Sequence, residues 1–66
     1  MEDHVKRMIA ERTELEEKMR KLGDFITTNK GFALLSDEKQ FLMRQQYEYM
    51  TNYQGVLQRR IELESY

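Results

Sequence analysis

The sequence predicts an all-α fold, an antiparallel two-helix hairpin that assembles into a homo-oligomeric helical bundle. Three observations predict it. Apolar residues recur at helical spacing through two long stretches, separated by one cluster of Thr, Asn and Gly at 27–31. The 66 residues contain no proline and three glycines, so little interrupts a helix elsewhere. There is no cysteine and one histidine, and chains below about 70 residues usually need disulfides, a metal or self-association to be stable. Self-association is the one that remains.

Residues 1–66 read as a single domain with a helix over about 3–27, a turn over about 28–36 and a helix over about 37–64. In the first helix Val5, Met8, Ile9, Leu15, Met19, Leu22 and Ile26 form a near-heptad stripe, with Arg12 occupying one of its positions. Asp3/Arg7, Glu14/Lys18, Glu16/Arg20 and Glu17/Lys21 each place an acid four residues before a base, a spacing worth about 0.2–0.5 kcal/mol per pair on a solvated face. Gly31 suits a helix C-terminal cap, Phe32, Leu34 and Leu35 make a short apolar plug, and Ser36 is placed to N-cap the second helix. Asp37 and Glu38 in its first turn favour the helix dipole.

The second helix carries two apolar lines. Met43, Gln46, Met50, Tyr53, Leu57 and Ile61 make a seam for the first helix, while Leu42, Tyr49, Val56 and Leu63 repeat every seven residues on a neighbouring line. One partner helix cannot cover both, so the second line calls for another chain. Gly55 lies within this helix at a cost of up to about 1 kcal/mol relative to Ala. It marks either a close approach by a neighbour or a tolerated surface position.

Eleven basic against twelve acidic residues give a net charge of −1, which provides no broad positive field for duplex nucleic acid. No apolar run exceeds four residues, and the start Met1-Glu2-Asp3-His4 lacks the regions of a signal peptide. A soluble, cytoplasmic protein without a membrane partner is expected. His4 has no second His or Cys at ligand spacing, which predicts no metal site. Glu11, Glu14, Glu16 and Glu17 alternate with bases rather than forming an acid/base pair, and none of the hydroxyls, those of Ser36, Ser65 and Thr13 among them, is near a base in any known nucleophile arrangement. No Gly-rich phosphate loop occurs. The protein is expected to be neither an enzyme nor a cofactor carrier.

One group of residues stands apart. Gln46, Tyr53 and Arg60 are spaced by seven along the second helix, flanked by Arg44, Tyr47, Tyr49 and Arg59. Between Lys39 and Ile61 four bases stand against Glu48 alone, a local charge of +3. Aromatic faces stack on nucleobases at about 1–3 kcal/mol per base, and Arg forks onto phosphate oxygens. A simpler reading makes Gln46 and Tyr53 polar members of the seam and pairs Arg60 with a first-helix glutamate such as Glu11.

The residues also carry a family resemblance. Arg7-Met8-Ile9-Ala10-Glu11-Arg12-Thr13-Glu14-Leu15-Glu16-Glu17-Lys18, then Lys21-Leu22 and Phe25-Ile26, resemble the first half of small phage-encoded hairpins, crAss-like phage proteins among them. Phe32, Leu35, Leu42-Met43, Gln46, Met50, Tyr53, Val56-Leu57 and Arg60-Ile61 resemble the second half. Those hairpins are similar to the helical part of phage anti-CBASS and anti-Thoeris sponges. The resemblance implies a homo-oligomer, a hexamer, that sequesters cyclic dinucleotides, cyclic trinucleotides or cyclic ADP-ribose variants between protomers in the cytoplasm of an infected bacterium. Anti-Thoeris sponges carry a β-rich segment ahead of the hairpin that these residues do not contain, so its pocket is not carried over.

For such a ligand the side-chain chemistry nominates Lys30, Arg44, Arg59 and Arg60 for phosphates, Tyr47 and Tyr53 for stacking, and Thr28, Asn29 and Gln46 for base edges or ribose hydroxyls. Two rivals remain at this level. One is a structural or protein-binding hairpin whose second apolar line docks a host or phage protein. The other is a regulator that binds single-stranded nucleic acid through Arg59, Arg60 and the tyrosines, which the near-neutral charge disfavours.

Overall fold

The computed structural model describes residues 3–64. Met1, Glu2, Ser65 and Tyr66 lie outside them, and with them the first two residues of the N-terminal signal reading and the Ser65 hydroxyl. Three helices follow in order: α1, Asp3–Thr28; α2, Lys30–Ala33; and α3, Asp37–Glu64.

α1 begins with Asp3 in its first turn, where a carboxylate offsets the positive end of the helix dipole. It ends where the β-branched Thr27 and Thr28 turn their hydroxyls back onto the helix. Thr27 donates to the Gly23 carbonyl at 2.8 Å and Thr28 to the Asp24 carbonyl at 2.6 Å. Asn29 then adopts an extended backbone, φ −87 and ψ 123, and its side chain accepts from the Gly31 amide at 2.7 Å.

That cap starts α2, a single turn within the segment expected to be irregular. Gly31 is therefore inside a helix rather than beyond the end of one, and no described residue has the positive φ of a left-handed cap. The C-terminal cap expected of this Asn and Gly does not form, and Asn29 instead N-caps α2 by supplying the acceptor that a helix N-terminus needs. Ser36 accepts from the Lys39 amide at 3.2 Å at the start of α3. The Gln40 amide donates to the carbonyls of Leu35 at 3.0 Å and Ala33 at 3.4 Å, which ties the connector to α3.

α1 and α3 lie antiparallel in a rod of 46 × 15 × 13 Å. Cross-helix bonds mark the pairing: His4 to Glu64 at 2.9 Å, Arg12 to Gln58 at 2.7 Å and Gln54 to Glu16 at 3.3 Å, one residue number falling as the other climbs. His4 is thus tied to the last turn of α3.

The tightest packing is at the end carrying the termini, where Val5, Met8, Leu57 and Ile61 form the buried cluster and Ile9 packs against it. At the opposite end Phe32 is buried, its ring edge-on to Phe25 at 6.1 Å with the Arg44 guanidinium 5.1 Å above its face. Between the two ends the expected seam is only partly closed. Met43 and Met50 are half-buried, but Gln46 and Tyr53 are exposed.

Arg12 takes its place in the apolar stripe by reaching Gln58, while its Nε is buried without a hydrogen-bond partner, the Glu16 carboxylate standing 3.8 Å away. Arg20 pairs with Glu17 at 2.6 Å and Asp24 at 3.2 Å rather than with Glu16, whose carboxylate turns toward Arg12 and Gln54. These are exposed contacts, and ion pairs of that kind add little to stability. The Arg20 guanidinium donating to Glu17 holds that carboxyl below its ordinary range.

Candidate functional site

Halfway along the rod lies an open groove of about 520 Å³. Leu15 of α1 forms one wall. Leu42, Gln45, Gln46, Tyr49, Met50 and Tyr53 of α3 form the rest. Gln46 and Tyr53, both exposed, stand at seam positions where an apolar residue would be expected to fill the space against α1. Its surface is almost wholly apolar, with two amides and two phenols as its polar groups. No cationic side chain lines it.

Tyr53 is held in place from across the hairpin. Its hydroxyl donates to the Glu11 carboxylate, and this bond raises the phenol above its ordinary range, with the nearby Arg60 charge opposing the rise. Glu11 therefore takes Tyr53 in the role that the simpler sequence reading gave to Arg60.

Two smaller clefts lie toward the connector. One, about 320 Å³, runs along Met19, Gly23, Ile26 and Tyr47, and the other, about 280 Å³, along Lys21, Phe25, Thr28 and Asn29, with Arg20 and Asp24 shared between them. A Cβ on Gly23 would stand 3.1 Å from the Tyr47 ring. Nothing lies within 4 Å of a Cβ placed at Gly55, so of the two readings of that glycine the hairpin shows an open surface position, and the close approach is at Gly23 instead.

The nine nominated residues are accordingly dispersed. Gln46 and Tyr53 share the large groove, Tyr47 lies in the second cleft, and Thr28 and Asn29 line the third. Lys30 opens α2, Arg44 covers Phe32, and Arg59 reaches Glu62 at 3.3 Å. Arg60 is exposed on α3 beyond Tyr53. Sequence reasoning did not nominate Leu15, Leu42, Gln45, Tyr49, Met50 or Glu11. Leu42 was visible only as part of an unpartnered line, Tyr49 also as a flank of the Gln46–Tyr53–Arg60 group, and nothing in the spacing of Leu15 or Met50 distinguishes a groove wall from core.

The line itself is open along its length, with Leu42 at 52%, Tyr49 at 64%, Val56 at 63% and Leu63 at 61% exposure. Among the described residues no helix is long and apolar enough to cross a membrane, and no cluster of His, Cys, Asp or Glu is arranged to hold a metal ion.

A family model named Sequestin matches residues 2–63. The chain belongs to the Sequestin family. A name of that form is consistent with the sequestering of a molecule. No curated protein and no solved structure matches the chain.

Proposed function

We propose that this Sequestin-family protein is a phage anti-defence sponge that binds cyclic nucleotide immune signals and holds them without cleaving them. The groove between Leu15 and the Gln46/Tyr53 face of α3 carries this reading. Phenol rings offer flat surfaces for a base and the glutamine amides offer both a donor and an acceptor for its edge. The functional unit is a homo-oligomer, a hexamer by the resemblance to anti-CBASS and anti-Thoeris hairpins. The exposed Leu42–Leu63 line supports assembly, since a strip of that kind is seldom left in water.

Calorimetry against 3′,3′-cGAMP, a cyclic trinucleotide and a cyclic ADP-ribose isomer tests it. Binding of at least one, with the ligand recovered intact after heat denaturation of the protein, is the expected result. An assembled protein that binds none of them, or that returns a hydrolysed ligand, overturns the reading.

The same exposed line also favours a second reading, a hairpin that docks another protein through its α3 face. That reading predicts no heat with any nucleotide of the panel.

A further inference from the structure

The groove is apolar and the proposed ligands are anions. None of its lining residues is cationic, and the one charged group bonded to a lining residue, the Glu11 carboxylate on Tyr53, has the wrong sign for a phosphate. A single hairpin thus offers a surface for a base and nothing for the charge beside it. Leu42 and Tyr49 belong both to the groove and to the exposed line, so whatever covers the line also closes one side of the groove.

The line itself selects its cover. Leu42, Tyr49, Val56 and Leu63 span about 31 Å at 1.5 Å per residue, and no charged residue interrupts the sevenfold repeat. Two copies laid parallel bring Arg59 and Arg60 against the same residues of the second copy, where like charges repel. Laid antiparallel about a two-fold axis between Asn52 and Tyr53, Leu42 meets Leu63 of the second copy and Tyr49 meets Val56. In that register Arg59 and Arg60 fall opposite the neutral Gln46 and Gln45. Arg60 follows Tyr53 by seven residues and so projects from the stripe that faces the groove. Among the described residues it forms no ion pair with a carboxylate, whereas Arg59 is engaged by Glu62.

We propose that two chains pair antiparallel through the Leu42–Tyr49–Val56–Leu63 face of α3, so that Arg60 of the second copy completes the groove of the first as its phosphate-binding group. Each binding site is then composite. Leu15, Gln46 and Tyr53 come from one chain and the guanidinium from the other, and a two-fold axis makes two equal sites. This rests on the sponge reading for its ligand but not for its register.

The register is tested without ligand, because the chain has no cysteine. Leu42→Cys and Leu63→Cys chains, mixed and oxidised, give a disulfide-linked pair, while neither variant links to itself. Self-linking by Leu42→Cys alone, or no linking in the mixture, overturns the arrangement.

The shared site is tested by complementation with whichever cyclic nucleotide of the panel binds. Gln46→Ala and Arg60→Ala each weaken binding about tenfold or more, the first by loss of a neutral hydrogen bond to a base and the second by loss of a charge-assisted bond to phosphate, with helicity and mass unchanged. Refolded together in equal amounts they regain tight binding at about one quarter of the sites, because half the pairs are mixed and each mixed pair keeps one intact site of two. Binding by the wild type with no regain in the mixture overturns the composite site and leaves the sponge reading standing. A wild type that binds nothing ends both.

Discussion

At the end of the hairpin that carries the termini, Val5 and Leu57 are 1% and 2% exposed and pack with Met8 and Ile61 as a closed core. Halfway along, the same two helices leave Leu15 facing Met50 and Tyr53 across an open groove. Helix propensity and crossing partner are alike in the two regions, so the difference lies in side chains. Leu57 and Ile61 are aliphatic and fill the space between the helices. Gln46 and Tyr53 have polar ends that seek water or a hydrogen-bond partner, and the gap stays unfilled. One hairpin thereby combines a closed segment that holds the fold with a segment whose groove stands open.

The largest test of this contrast is truncation on either side of it. Leu57→Ala should cost about 3 kcal/mol by loss of contacts and creation of a cavity, read as a lower midpoint in urea unfolding. Leu15→Ala borders space that is already open and should cost roughly 1 kcal/mol, for lost apolar area alone. Equal costs would mean that the groove closes in solution and that the two regions are not distinct.

The two glycines sharpen the same point at a smaller scale. Gly55→Ala, with nothing within 4 Å of the new methyl, should raise the thermal midpoint by an amount worth about 0.5–1 kcal/mol. Gly23→Ala should forfeit that gain, because its methyl would press on the Tyr47 ring at 3.1 Å. A gain at Gly23 as large as that at Gly55 would show Tyr47 to be loosely held.

At the connector, Arg44→Ala should lower stability by about 0.5–1 kcal/mol through loss of the cation above the Phe32 ring. The same variant tests whether Arg44, nominated for phosphate, is instead occupied by packing. Stability falls and nucleotide affinity holds if packing is its role.

The smallest effect concerns Tyr53. Its bond to Glu11 raises the phenol above its unfolded value, so the folded chain keeps that proton longer. Any stabilisation from the bond is complete below the ordinary tyrosine range and is lost as pH rises through the folded value. In an absorbance titration the Tyr53 phenolate should form above the ordinary tyrosine range. Glu11→Gln should return it toward that range.

Ser36 as the cap of α3 was legible in the residues, because a hydroxyl followed by two carboxylates meets the needs of a helix N-terminus wherever it occurs. The stripe of α1 was legible for a similar reason, and every apolar member of it is buried or half-buried. Gly31 misled because its conformational freedom suits the C-terminal end of a helix, yet Asn29 before it N-caps a further turn and the glycine lies within that turn. The groove was half legible. The residues of the second apolar line showed that α3 has more than one sticky face, and Gln46 and Tyr53 were visible as polar interruptions in the seam.

By itself the sequence determined two long helices, a break between them and an excess of apolar surface, because each follows from local periodicity and short-range capping chemistry. Tertiary structure alone decided that Glu11 would take the Tyr53 hydroxyl, that Gly23 rather than Gly55 would sit under a ring, and that Leu15 would border open space. Those outcomes depend on the axial register of α1 against α3. Sliding one helix along the other by a turn would exchange every partner while leaving the spacing within each helix unchanged.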